Sequence, residues 1–195
     1  MKAELELNEG FWRERYLTGE TAWDMGRVSQ PLKEYLDQLT NKELKILIPG
    51  AGNAWEAAYL WEQGFKNVWI CDIVAEPLAR FQERHTDFPA AQLLHVDFFH
   101  LQDAFDLIIE QTFFCALDPK LREAYAQKMS TLLNPNGRLV GLMFDDPKND
   151  DRPPFGGKKE DYQVLFESYF HEVRIEPCYN SIAPRAGKEV FVRMK

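Results

Sequence analysis

The stretch ILIPGAGNAWEAAYLWEQGFKNVWICDIV, from Ile46 to Val74, constrains the fold more than any other part of the chain. It opens with an apolar run fit for a buried strand and turns at Gly50 and Gly52. Apolar residues at helical spacing follow, and a second apolar run ends at Asp72. A strand, a glycine turn, a helix and a second strand are the parts of a βαβ unit, which implies parallel strands with helices packed on the sheet. Glycine at such a turn tolerates positive φ and lets the backbone approach a ligand closely. Many G-x-G segments are only tight connections, so this one acquires meaning from its neighbours.

The alternation continues along the chain. Strands are expected at residues 44–48, 68–71, 92–96, 105–110, 138–144, 172–176 and 189–193, and helices at 31–39, 55–63, 76–83, 119–133 and 160–169. The last two strands are separated only by the loop 177–188, too short for a helical crossover, so an antiparallel hairpin is expected there. The predicted class is α/β: a Rossmann-like, mostly parallel seven-stranded sheet flanked by helices and closed by a C-terminal antiparallel hairpin, the architecture of the common methyltransferase domain. At 195 residues a single domain, 1–195, is expected, with residues 1–43 as an N-terminal segment ahead of the first strand. The loop DDPKNDDRPPFGGKK, residues 145–159, is long enough to act as a lid.

Charge narrows the partners. With 23 basic and 31 acidic side chains the formal charge is −8, which disfavours nucleic acid and anionic membrane surfaces and leaves a small-molecule substrate. No apolar run reaches the length of a membrane span, and MKAELELNEG lacks the apolar stretch of a signal peptide. Cys71, Cys115 and Cys178 are odd in number and widely spaced, which suggests neither a disulfide framework nor a zinc ribbon and fits a cytoplasmic location. His85, His95, His100 and His171 show no metal spacing, so no metal is expected. A monomer is the expectation for a compact acidic domain.

The acidic partners of the glycine turn point to a cofactor. The dinucleotide fingerprint G-x-G-x-x-G would need glycine at position 55, where Trp55 stands instead. Asp72, 22 positions after Gly50, is placed to accept hydrogen bonds from ribose hydroxyls, a feature shared by NAD and S-adenosylmethionine sites. HVDFFHL, residues 95–101, puts Asp97 and Phe98 just past a third strand, where an acid can accept the adenine amino group and a phenylalanine can pack on the ring. Singly, each has an ordinary structural reading: a strand-end acid, a turn acid, a core phenylalanine. Three strand ends presenting them on one edge of the sheet favour S-adenosylmethionine over a nicotinamide cofactor. Ala51 and Ile73, neighbours of the glycines and of Asp72, belong to the same candidate site with Gly50 and Gly52.

The opening FWRERYLTGETAWDMG places Trp12 and Tyr16 at i and i+4, on one helix face, with Trp23 beyond. Such aromatics can dock the segment on the core and can also cover a sulfonium cation, whose charge is attracted to aromatic faces. Here the sequence resembles the thiopurine methyltransferase superfamily of class I S-adenosylmethionine-dependent enzymes. The resemblance rests on W-x-x-x-[WY]-x-x-G-x-T-x-[WF]-D (Trp12, Tyr16, Gly19, Thr21, Trp23, Asp24), on Pro49 to Gly52, on Asp72 and on Asp97–Phe98. FDLIIEQTFFCALDPKLREAYA, Pro153-Pro154-Phe155 and Ala183-Pro184-Arg185 bring it nearest the thiol, thiocyanate and halide methyltransferases.

The resemblance implies that Trp12, Tyr16 and Trp23 cap the cofactor, Gly50 faces its methionine part, Asp72 binds ribose, and Glu110, Gln111 or Thr112 makes a strand-four contact. The sequence departs from the pattern at Ala51, where cysteine is common, and at Arg152, where glycine precedes the double proline. It departs again at Gln111, in place of the arginine of thiopurine-type members, which argues against thiopurine-like substrates. The implied activity is direct in-line transfer of a methyl group to a small soft nucleophile, such as a thiol, hydrosulfide, thiocyanate or halide, with S-adenosylhomocysteine as product. An already anionic nucleophile needs no general base, and the sequence offers none. Phe113, Phe114 and Phe155 are candidates for an apolar wall around the methyl group, Cys115 for pocket lining, and Arg185 for attracting the anion. A thiopurine-like enzyme with a bulkier aromatic thiol or selenium substrate and a non-catalytic cofactor binder remain as alternatives.

Overall fold

The computed structural model describes residues 5–195, so the first four residues of the N-terminal segment lie outside it. Seven strands form one sheet: β1 (Ile46–Pro49), β2 (Val68–Asp72), β3 (Leu93–His95), β4 (Phe105–Gln111), β5 (Leu133–Phe144), β6 (Val173–Pro177) and β7 (Glu189–Met194). Their order is β3-β2-β1-β4-β5-β7-β6. The first five run parallel to one another, and β7 inserts antiparallel between β5 and β6. The expected hairpin is therefore β6–β7, and its returning strand completes the sheet.

Six helices flank the sheet: α1 (Glu9–Thr18), α2 (Gln30–Leu36), α3 (Trp55–Glu62), α4 (Ala75–Arg84), α5 (Arg122–Thr131) and α6 (Lys159–Glu167). The strand residues alternate between two cores. Ile46, Ile48, Leu107, Ile109, Val140 and Leu142 pack with α2, α3 and α4. Leu47, Ile108, Leu139, Met143 and Val192 pack with α5 and α6. Covering both faces with apolar residues is what a parallel sheet requires, and it explains the near-continuous apolar strands of the sequence.

Local chemistry sets the element ends. Asn8 caps α1 by accepting from the Phe11 amide, and Gly19 ends it in the left-handed region at φ 74. Pro31 sits in the first turn of α2, where its missing N–H costs nothing. The helix expected from 119 starts only at Arg122, because Asp118 accepts the Lys120 amide and closes a 3-10 turn first. The strand expected from 138 begins at Leu133. Asn134-Pro135-Asn136-Gly137 reads as a turn, but the register shift against Phe105 and Leu107 makes it a bulge within β5, with Asn136 at φ 68.

Candidate functional site

A cavity of about 520 Å³ opens at the carboxyl ends of β1, β2 and β4, beneath the N-terminal segment. Parallel sheets place ligand sites at this edge because the strand-to-helix turns converge there. Its size falls within the range typical of small-molecule pockets.

The glycine turn forms its floor. Gly50 and Gly52 have φ 56 and 52, conformations that side chains avoid. The Gly52 amide donates to Asp72 Oδ2 at 3.0 Å, and the Val74 amide to Oδ1 at 2.9 Å, so the carboxylate at the end of β2 is locked in place. Asp72 lines the cavity yet is 5% exposed. Burial pushes its pKa up to about 6, and the amides of Val74 and Gly52 work against that shift. Next to the third strand, Asp97 accepts the Phe99 amide at 2.9 Å and Phe98 meets Phe113 edge-on with centroids 5.2 Å apart. Asp97, Phe98 and Ile73 all lie on the cavity wall.

The N-terminal segment forms the roof. Trp23 is perpendicular to both Trp12 and Tyr16, each pair with centroids 5.7 Å apart. A side chain on Gly52 would meet the Tyr16 hydroxyl at 3.3 Å, which is how closely the roof approaches the turn. Asp24 fastens it: its carboxylate accepts from Trp55 Nε1 at 2.6 Å, from the Gly26 amide at 2.8 Å and from Asn53. Trp55, the residue that broke the dinucleotide fingerprint, is thus a roof anchor. From the C-terminal side, Arg185 donates to the Trp23 carbonyl at 3.1 Å and pairs with Glu189 at 3.3 Å.

Beyond the glycine turn the cavity is bounded by Thr112, Phe113, Cys115, Leu117, Phe144 and the pair Pro153–Pro154. Phe113 lies so close to Gly50 that a Cβ on the glycine would fall 2.1 Å from its ring. The Cys115 thiol donates to the Thr112 carbonyl at 3.2 Å, and burial pushes its pKa up to about 12, which keeps it a neutral wall group. Lys148 and Arg185 approach the Phe144 ring at 4.6 and 5.6 Å, and Lys148 pairs with Asp146 at 2.7 Å. The loop 145–159 is tied down by the Phe155 amide on the Cys115 carbonyl at 2.7 Å and by Arg122 on the Gly156 carbonyl at 2.6 Å.

Of the residues singled out from the sequence, the structure brings Trp12, Tyr16, Trp23, Gly50, Asp72, Ile73, Asp97, Phe98, Phe113, Cys115 and Arg185 to one cavity. Ala51 and Gly52 support the floor from outside the lining. Phe114 is a core residue, packed on Tyr125 and Tyr162 with centroids at 5.0 and 5.4 Å. Phe155 is buried and off the lining, and Pro153 and Pro154 stand on the wall instead. Glu110 is fully buried behind the wall, and Gln111 lies off it, its side-chain oxygen without a hydrogen-bond partner among the described residues. Thr112 takes the strand-four place instead. Arg15, Phe144 and Lys148 escaped sequence reading; only Lys148, inside the lid-like loop, carried a signal.

Residues 7–189 match the family model described as thiopurine S-methyltransferase. A "Probable thiol methyltransferase 2" of Arabidopsis thaliana is 30% identical over 196 residues, covering 97% of this chain and 86% of the relative. Thiocyanate methyltransferase 1 of Brassica oleracea is 32% identical over 195 residues, with the same coverage of each. Among solved structures, the Burkholderia thailandensis 1,6-didemethyltoxoflavin-N1-methyltransferase, bound to 1,6-didemethyltoxoflavin and S-adenosylhomocysteine, superposes with a TM-score of 0.76. It is 17% identical and covers 100% of this chain and 92% of its own.

Proposed function

Since the chain belongs to the thiopurine S-methyltransferase family, we propose that it transfers the methyl group of S-adenosylmethionine directly to a small soft nucleophile: a thiol, hydrosulfide, thiocyanate or halide. The observation that carries this reading is the joining of a buried strand-end carboxylate, a tight glycine turn and an aromatic roof around one cavity. That set fits the donor. Gly52 lacks a side chain that would crowd the roof, Asp72 offers a fixed acceptor for ribose hydroxyls, and the rings of Trp12, Tyr16 and Trp23 suit a cation. When bound, the donor supplies an electrophilic methyl group on sulfur.

The chain's own residues align and enclose. With the donor bound, Asp97 would accept the adenine amino group and Phe98 would pack on the ring, while Gly50, beside Phe113, would lie toward the methionine part. Phe113, Phe144, Pro153 and Pro154 exclude water from the acceptor's side, and exclusion of water with alignment is what direct displacement needs. Cys115 stays a thiol and takes no part as a nucleophile. Arg185, held between Glu189 and the Trp23 carbonyl, lies where an anionic acceptor would enter. No helix among the described residues is long and apolar enough to cross a membrane.

The test is transfer from methyl-labelled S-adenosylmethionine to hydrosulfide, thiocyanate, iodide and an aromatic thiol in separate sealed vials. Volatile labelled product from the small anions is the expected result. Label in the aromatic thiol alone would replace this reading with a thiopurine-like one. Tight S-adenosylhomocysteine binding without transfer to any of the four would leave a non-catalytic binder.

A further inference from the structure

One buried acid stands behind the cavity without lining it. Glu110, at the end of β4, is completely buried. Its Oε1 accepts from the amides of Phe113 at 2.8 Å and Phe114 at 3.0 Å, and its Oε2 accepts from the Tyr125 hydroxyl at 2.6 Å. A buried carboxylate is costly unless its lone pairs are filled, and three donors converge here. Its partner across β4–β5 is Gly141, where a Cβ would lie 2.3 Å from the Glu110 Cβ. The neighbouring strand therefore leaves room for this side chain.

The turn that Glu110 holds does not form easily by itself. Thr112 sits at φ 60, a conformation rare for a β-branched residue and found where the surroundings over-determine it. The same turn shapes the site. Thr112 faces the cavity, Phe113 is laid on Gly50, and Cys115 donates back to the Thr112 carbonyl.

We infer that Glu110 is a positioning residue for methyl transfer: by accepting the amides of Phe113 and Phe114 it fixes residues 112–115 against Gly50, at the boundary between donor and acceptor. The inference rests on the transfer proposed above. Burial pushes the Glu110 pKa up to about 7, against the hydrogen bonds from Tyr125 and the two amides. Both charge states therefore occur near neutrality. The role lies in the accepted bonds, so a neutral isostere should fill it. A glutamine can accept both amides through its oxygen and donate to the Tyr125 oxygen through its nitrogen.

The experiment compares the full chain with Glu110→Gln and Glu110→Ala by amide hydrogen exchange at Phe113 and Phe114, S-adenosylhomocysteine affinity, and kcat for the best acceptor. In Glu110→Ala, exchange should quicken at least tenfold. Its kcat should fall by about 100-fold, the scale of a misplacement near 1 Å, and by far more than cofactor affinity falls. Glu110→Gln should stay within about threefold of the parent in all three, since its oxygen still accepts both amides. Equal loss of kcat in both variants would overturn the inference by making the charge itself essential. Unchanged kcat in Glu110→Ala despite faster exchange would overturn it by making the role merely structural. Should the alanine variant not fold, Tyr125→Phe keeps the ring in the core and removes one donor to the carboxylate; a several-fold loss of kcat at unchanged cofactor affinity is expected, and no loss would refute the role. A parent chain that methylates none of the acceptors would sink the proposed reaction. Exchange at Phe113 and Phe114 indistinguishable between the parent and Glu110→Ala would separately sink the part given to Glu110.

Discussion

Asp72 illustrates how one buried carboxylate joins binding to pH. Its pKa near 6 means that the ligand-free protein holds a proton there below that pH. In the proposed complex, ribose hydroxyls donating to the carboxylate would favour its ionised form, so that below pH 6 binding would have to expel that proton. S-adenosylhomocysteine affinity is therefore expected to fall roughly tenfold per pH unit below 6 and to be level above it, because each unit is worth about 1.4 kcal/mol. Replacing Asp72 with Asn should flatten the profile. At pH 8 it should weaken binding by about 1.5–3 kcal/mol, the cost of losing a hydrogen bond to a charged group. Calorimetry across pH 5 to 8 reads both effects, and a parallel pH profile in the variant would place the ribose elsewhere. For folding the same shift acts in the other direction. The raised pKa contributes stability that is complete below the ordinary value of 3.8 and is lost as pH rises through about 6, a total of ~3 kcal/mol as an upper bound.

At the scale of elements, the roof made by α1 and the segment up to α2 is held to the glycine turn by polar anchors rather than by a core of its own. Among the residues of α1 only Tyr16 is buried. Asp24 carries two of the anchors, to Trp55 and Asn53, and its local bond from the Gly26 amide holds it in place. Asp24→Ala is therefore expected to weaken S-adenosylhomocysteine binding at least tenfold and to speed proteolysis within residues 9–29. The thermal midpoint of the ligand-free chain should move little, because the sheet and its two cores are untouched. Unchanged affinity would show that the roof takes no part in holding the cofactor.

This anchoring also explains what the sequence could disclose. The motif from Trp12 to Asp24 pointed to a cap, but not to its latch, because the contact of Asp24 with Trp55 joins residues far apart in the chain. The strands and the C-terminal hairpin were legible, since burial on both faces writes itself as apolar runs. The start of β5 was not, because a bulge uses the same Asn, Pro and Gly residues as a turn. Nor were Glu110 and Phe114 distinguishable from their neighbours as wall residues. How the chain turns past the end of β4 depends on the positive φ at Thr112, which no local pattern announces.

Taken as a whole the molecule is acidic, with a formal charge of −8, yet the proposed acceptors are anions. The cations at the cavity do not reverse that field: Arg185 is paired with Glu189 and Lys148 with Asp146, and Arg15, which lies over the Phe11 ring, shares the lining with Glu20, Asp72 and Asp97. Long-range attraction therefore cannot be what selects the acceptor; approach to an acidic molecule is uphill for any anion. Selection must arise after entry, where apolar and aromatic walls give little to replace a hydration shell, so anions that shed water readily gain over those that do not. Two outcomes follow. Iodide and thiocyanate should be methylated with a far higher kcat/KM than chloride. In addition, raising ionic strength from about 0.05 to 0.5 M with a salt of a bulky non-substrate anion should raise kcat/KM for thiocyanate by up to about threefold, because screening lengths shrink well below the molecular dimension and the repulsion fades. Steady-state kinetics on thiocyanate across that salt range decides the matter. A steep fall with salt would mean that Arg185 and Lys148 steer the anion despite their partners, and Arg185→Met should then abolish the salt dependence; if rate rises with salt, the same substitution should leave the slope intact while lowering kcat/KM.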